Sequence, residues 1–209
     1  MRRVRPAGSP FPLLSITAGL LAAMALSTSP AVTARAGGGY FDQTTDVGSP
    51  AIPGSTVYDA SQQTYTLTGA GTNMWAARDE YHFAYRKLSG NFILRAHVKF
   101  PGQGVEPHRK LGWIVRSSLD PSATYADVAV HGNGLTSLQY RREQGGQTYQ
   151  LPSMVSAPDV VQLERNGKMF IMSVARYGEP FRRTELSELD LGNDVYVGLF
   201  VCSHNPKVS

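Results

Sequence analysis

Cysteine is nearly missing from this chain: Cys202 is the single thiol in 209 residues. No disulfide can form within it, so stability has to come from packing alone. Cys202 lies in the apolar run 195–202, where a packed, inert thiol is expected rather than a nucleophile or metal ligand. Acidic side chains are missing from the first 36 residues, which carry Arg2, Arg3, Arg5 and Arg35; the first carboxylate is Asp42. The net charge of +4 belongs to that segment, because the remaining residues hold 16 basic and 16 acidic side chains. A formally neutral remainder excludes nucleic acid as the expected partner. Long apolar runs are missing as well. The stretch 13–26 is about 14 residues, short of the roughly 20 that cross a bilayer, and Ser15, Thr17 and Gly19 dilute it.

What the first 36 residues do contain is an order: three arginines, then the apolar stretch, then a Ser/Thr/Pro segment ending in Ala34-Arg35-Ala36. That is the layout of a secretory signal peptide, with cleavage expected after Ala36 and no membrane span in the product. An uncleaved anchor is the competing reading, and the shortness of the apolar stretch disfavours it. Arg2-Arg3 lacks the surrounding motif of twin-arginine export. The expected organisation is a signal peptide over 1–36 and one domain over 37–209, delivered to the periplasm or the cell exterior.

Helical periodicity is nearly absent over 37–209, whereas glycine (21), proline (13) and alternating apolar and polar positions are plentiful. Residues 81–86 set Tyr81, Phe83 and Tyr85 on one face and His82 and Arg86 on the other. Residues 92–100 send Leu94, Ala96, Val98 and Phe100 inward and Arg95, His97 and Lys99 outward. Strands over 125–131 and 135–142 are expected to pair across His131-Gly-Asn-Gly134, and those over 160–165 and 169–176 across Asn166-Gly167. Further strands are expected at 64–68, 111–118 and 194–203. About ten short strands with no helix to cover them predict an all-β sandwich or jelly roll of antiparallel strands. The last strand ends close to Ser209, which raises the expectation that a closing C-terminal strand is missing.

Three segments resemble hallmarks of one family: GTNMWAARDEYHF (71–83), GWIVRSSLD (112–120) and VGLFVCSHN (197–205). They are similar to motifs of a concanavalin A-like domain of unknown function in exported bacterial proteins. In a subset of that family the domain precedes a β-propeller similar to the Tol-type biopolymer transport component. The resemblance covers about residues 40–205 and implies a concanavalin A-like jelly roll that works in the cell envelope. The family pattern runs on past the Ser-His-Asn element, and this sequence does not.

Catalytic signals are weak. Glycoside hydrolysis needs two carboxylates across one cleft, and the nearest arrangement, Glu188-Leu-Asp190, runs into the turn signal Gly192-Asn-Asp194; Glu143 and Glu164 stand alone. A Ser/His/Asp triad has no Gly-x-Ser-x-Gly elbow to support it. The five histidines, His82, His97, His108, His131 and His204, have no metal-ligand spacing, and Asp120, Asn133 and Asp194 form no calcium loop. No metal and no cofactor are expected. What remains is a polar sheet face: Arg116, Asp127, His131, Gln139 and Arg141 at alternate strand positions, with Trp75, Arg78 and Asp79 in an adjoining loop. Aromatic rings stack on sugar faces while planar polar groups fix hydroxyls, so these eight residues are the predicted ligand site. A competing reading makes Arg116–Asp127 an internal ion pair and puts Trp75 and Trp113 in the core. On the groove reading, replacing Arg141 and Gln139 together removes glycan binding without loss of stability. The expected function is a non-catalytic, lectin-like module binding carbohydrate or another extracellular polymer, with protein partners of the cell envelope. A divergent β-glucanase-type hydrolase and a structural envelope-assembly domain are the alternatives.

Overall fold

The computed structural model describes residues 39–209; the expected signal peptide lies outside them. The described residues form fifteen strands and no helix, so no helix among them is long and apolar enough to cross a membrane. A seven-stranded antiparallel sheet has the order β1 (Gln43–Val47), β6 (Tyr81–Ser89), β15 (Asp194–Cys202), β8 (Lys110–Arg116), β9 (Tyr125–His131), β10 (Thr136–Arg141), β11 (Thr148–Pro152). A four-stranded antiparallel sheet has the order β14 (Arg182–Leu186), β13 (Met169–Ala175), β12 (Val160–Asn166), β7 (Phe92–His97). Two ribbons complete the set: β2 (Ser55–Asp59) with β3 (Thr64–Thr68), and β4 (Met74–Trp75) with β5 (Arg78–Asp79). The protein is an all-β sandwich of the jelly-roll type, as its alternation predicts.

The core between the two sheets follows from period two. Trp113 and Val115 on β8, Val128 and Val130 on β9, and Val195 and Val197 on β15 meet Leu94 on β7, Val161 and Leu163 on β12, and Phe170 and Met172 on β13. The expected β12–β13 hairpin forms, but its two turn residues are Gly167-Lys168 rather than Asn166-Gly167: Asn166 pairs with Met169 as the last residue of the ladder, and Gly167 supplies the left-handed first turn position at φ 60°. Between β9 and β10 the His131 N–H donates to the Leu135 carbonyl, closing the Gly132-Asn-Gly134 turn. The β2–β3 ribbon extends the second layer: Gly54 and Gly69 pass directly over His82, whose Nε2 meets Thr56 Oγ1 at 2.9 Å. Strand β15 is central rather than marginal. It pairs with β6 on one side and β8 on the other, and Gly198 is required there because a Cβ would overlap the Ala84 carbonyl.

The opposite face of the large sheet departs from the sequence reading. Alternation predicts strands with one solvated face, yet every residue of β9 is buried, and in β8 and β10 all but Leu111 and Tyr140 are. The covering is made by the β4–β5 ribbon and by loops. Under it sits a second apolar cluster of Met74, Tyr81, Phe83, Tyr85, Tyr125 and Phe200 with Cys202. Burial pushes the Cys202 thiol up to about 11, which keeps it protonated and inert.

Candidate functional site

The register of the large sheet places the polar residues in rows. One row crosses β8, β9, β10 and β11 as Arg116, Tyr125, Arg141 and Thr148; the next as Ile114, Asp127, Gln139 and Gln150. Two residues further along, Gly112, Ala129 and Ser137 leave little side-chain bulk, and beyond them Lys110 stands opposite His131. A hollow therefore opens between the Gln139–Gln150 row and the Lys110–His131 pair, walled from above by the β4–β5 ribbon.

The first row is structural. Asp79, Arg116 and Arg141 are all completely buried. Arg141 grips Asp79 through two bonds, Nη1 to Oδ2 at 2.9 Å and Nη2 to Oδ1 at 2.7 Å, the fork geometry that guanidinium and carboxylate share. Arg116 Nη2 approaches the same carboxylate at 3.6 Å, and the Arg116 guanidinium donates to the Tyr81 hydroxyl and the Asp120 carbonyl. Arg141 also donates to the Ala76 carbonyl at 2.7 Å and to the Ala123 carbonyl at 3.0 Å. Desolvation pushes the Asp79 carboxyl up from its ordinary range, against the pull of both guanidinium groups. Ala76 lies at φ 57° in the turn of the β4–β5 ribbon, so the arginine locks a backbone conformation that alanine rarely adopts. These three residues hold the ribbon on the sheet and do not line the hollow.

Two expectations are corrected here. The partner of Arg116 is Asp79, not Asp127, because the β4–β5 ribbon inserts its carboxylate between β8 and β10. Arg141 is a buried anchor, so Arg141→Ala with Gln139→Ala is not a variant that spares stability. Arg78 is exposed, donating to the Gly48 carbonyl at 2.8 Å, and lies outside the hollow. Of the two tryptophans, Trp113 is core and Trp75 is 37% exposed on the rim.

The hollow itself has a volume of about 270 Å³ and is lined by Asn73, Trp75, His108, Lys110, His131, Leu135, Gln139, Gln150 and His204. Of the eight predicted residues it takes three, Trp75, His131 and Gln139, with Asp127 next to Gln139 in the same row. Lys110 is buried and donates to Asn73 Oδ1 at 3.1 Å. His131 Nδ1 lies 2.9 Å from the Leu135 carbonyl, which can only accept, so Nδ1 carries the hydrogen and Nε2 has a free lone pair. Burial, with Lys110 adding to it, brings the His131 pKa down to about 4, so the ring is neutral at pH 7. His108 stands with its ring centroid 6.2 Å from that of His131 and 5.7 Å from that of His204. Among the described residues no group of three or more His, Cys, Asp or Glu is placed to hold a metal ion.

In the Gln139 row, buried oxygens of two side chains stand without partners, although Gln139 Nε2 donates to Gln150 Oε1 at 3.4 Å. Neither carboxylate oxygen of Asp127, nor Oε1 of Gln139, makes a well-formed hydrogen bond among the described residues. Desolvation holds the Asp127 carboxyl well above the ordinary range, against the pull of nearby Lys110. Unpartnered buried polar atoms are uncommon in folded proteins, and each calls for an explanation such as an ordered water, an ion or a functional role.

Alternation alone carried a signal for Lys110, two positions before Gly112 on the same face as Arg116. His108, His204, Asn73 and Gln150 carried none, since they reach the hollow from loops and from a strand with a weak pattern. The carboxylates weighed for hydrolysis lie elsewhere: Glu188 is exposed, and Asp190 is exposed and paired with Lys168 at 2.9 Å.

No protein-family model matches the chain, and no curated protein matches it either. Its fold is similar to that of a solved structure, the crystal structure of a functionally unknown protein from Saccharomyces cerevisiae. The two are 15% identical with a TM-score of 0.55, over 78% of this chain and 88% of the other. At that identity the likeness speaks for the sandwich fold alone.

Proposed function

We propose that this protein is a non-catalytic module that binds carbohydrate or another extracellular polymer in the hollow beneath Trp75. The observation that carries this reading is the composition of the lining: an aromatic wall, amide and imidazole groups, one lysine, and no carboxylate. Sugars are held by stacking on an aromatic face and by planar polar side chains that exchange hydrogen bonds with hydroxyls. Hydrolysis of a glycosidic bond requires two carboxylates flanking it, which this lining does not offer. The arrangement of Arg2, Arg3 and Arg5 ahead of the apolar stretch 13–26 supports export, and the three family-like segments support a concanavalin A-like module of the cell envelope.

The test is a glycan array probed with the protein and two variants. Trp75→Ala is expected to lose about tenfold or more in affinity, the roughly 1.4 kcal/mol that an exposed stacking ring supplies, with an unchanged melting temperature. Met154→Ala, at a 97% exposed position that does not line the hollow, is expected to bind as the native protein does. Native-like binding by Trp75→Ala, or release of reducing sugar from a bound glycan, overturns the reading.

A further inference from the structure

Lys110 is a cation sunk into a wall where nothing of opposite charge touches it. It is 2% exposed, yet its hydrogen bond goes to a neutral amide, Asn73 Oδ1, and no carboxylate oxygen lies within 4 Å of its ammonium among the described residues. An ammonium carries three donors, and burying a charge without a counter-charge is costly. The other nitrogen bases of the lining, His108, His131 and His204, surround it.

Among the described residues, none of the charged groups facing this cluster from the neighbouring elements is in contact with the Lys110 ammonium. On β5, Asp79 is committed to Arg141 and Arg116. On β9, burial holds the Asp127 carboxyl toward its protonated form against the pull of Lys110, and no ion-pair contact within 4 Å joins the two. On β15, Cys202 is a neutral thiol. From the loop before β8, Glu106 accepts from Asn205 Nδ2 at 3.4 Å and acts on His204 rather than on His131. An anion is thus the missing partner, and the hollow at about 270 Å³ falls just under the range of roughly 300–1,000 Å³ for drug-sized ligands, which suits a single ring.

Building on the binding reading above, we propose that the hollow selects an acidic sugar, a ring bearing a carboxylate, with Trp75 against the ring and Lys110 on the carboxylate. Gln139 Oε1, without a partner among the described residues, accepts a ring hydroxyl. A bound anion also favours the protonated form of the imidazoles around it; in the free protein burial and Lys110 hold His131 and His204 toward the neutral form. Binding then takes up protons, so affinity rises as the pH falls. Lys110 acts in the same sense, since burial lowers its pKa from the usual lysine value and acid restores its charge.

Calorimetric titration of the protein with trigalacturonic acid and with its methyl ester separates charge from ring shape. At about pH 5 the acid is expected to bind about tenfold or more tightly than the ester, with the preference shrinking at about pH 7.5. Lys110→Met is expected to lose the preference while retaining the ester. Equal affinity for acid and ester in the native protein overturns the acidic-sugar inference and leaves the carbohydrate reading standing. Binding of neither probe, together with a blank glycan array, overturns both. Because the acid–ester comparison uses the unaltered protein, it decides the matter whether or not Lys110→Met folds.

Discussion

Asp79→Ala is expected to lower the unfolding free energy by about 3–5 kcal/mol, the cost of leaving buried charges unpaired. The substitution strands two guanidinium groups, Arg116 and Arg141, both without solvent access. Arg141 keeps its bonds to the Ala76, Ala123 and Gly146 carbonyls, but these are neutral acceptors and do not offset the lost carboxylate. Asp79→Asn preserves the shape and is expected to cost nearly as much, because it too removes the counter-charge. Urea unfolding monitored by circular dichroism measures both. Combining Asp79→Leu with Arg116→Met and Arg141→Met removes all three charges together and is expected to recover much of the loss, since a buried ionic cluster gives little net stability over a well-packed apolar one. A loss below about 1 kcal/mol for Asp79→Ala contradicts the assignment of this triad as the anchor of the β4–β5 ribbon.

Asp127→Asn is expected to act in the opposite direction, raising stability by about 1–3 kcal/mol near pH 8, the range associated with an unsatisfied buried polar group. Both Asp127 carboxylate oxygens are buried without a well-formed hydrogen bond among the described residues, and desolvation holds the carboxyl well above the ordinary range. The sign follows from proton linkage. Between the unfolded value, about 3.9, and the raised folded value, the folded state binds more protons than the unfolded one, so stability falls as pH rises through that window. The substituted amide does not titrate, so the gap between variant and native protein is expected to be widest at alkaline pH and to close toward about pH 4. Lys110 does not cancel in the comparison: Asp127 favours its charged form, so the amide lets burial lower the Lys110 pKa further, and unfolding at each pH is read together with the titration of Lys110 in both proteins. Urea unfolding at about pH 4, 6 and 8 provides the curve, and a variant less stable than the native protein at about pH 8 contradicts the prediction.

Much of the strand pattern was legible. The alternation in 125–131 and 160–165, and Gly167 in the β12–β13 turn, specify strands and hairpins locally, because side chains of a strand alternate with period two and a two-residue turn fixes the register next to it. Other strands were not legible for a local reason. β1, β11 and β14 read QTTDV, TYQLP and RRTEL, in which few apolar residues alternate, because each lies at a sheet edge with little to bury. The ribbon β4–β5 is two residues per strand, below the length at which any period is visible.

The site was legible only in part, and the division has a physical cause. Alternation correctly put Arg116, Asp127, His131, Gln139 and Arg141 on one face of the large sheet. It could not show that this face is covered, since the covering comes from segments far away in sequence. Asp79 reaches Arg141 across 62 residues, and His108, His131 and His204 converge from a loop, a strand end and the segment after β15.

The sequence by itself therefore determined the material of this protein: one thiol and no disulfide within the chain, a basic first 36 residues ahead of a neutral remainder, and an antiparallel sandwich whose strands each carry two distinct faces. Those properties rest on composition and on period two, both of which act between near neighbours. Tertiary structure alone decided which polar residues are anchors and which are available. By laying the β4–β5 ribbon over the sheet it buried Asp79, Arg116 and Arg141 as a closed ion cluster, and left Trp75, Lys110, His131 and Gln139 around an open hollow. Whether an arginine supports the fold or meets a ligand depends on what lies over it, and the chain supplies that cover from a distance no local pattern spans.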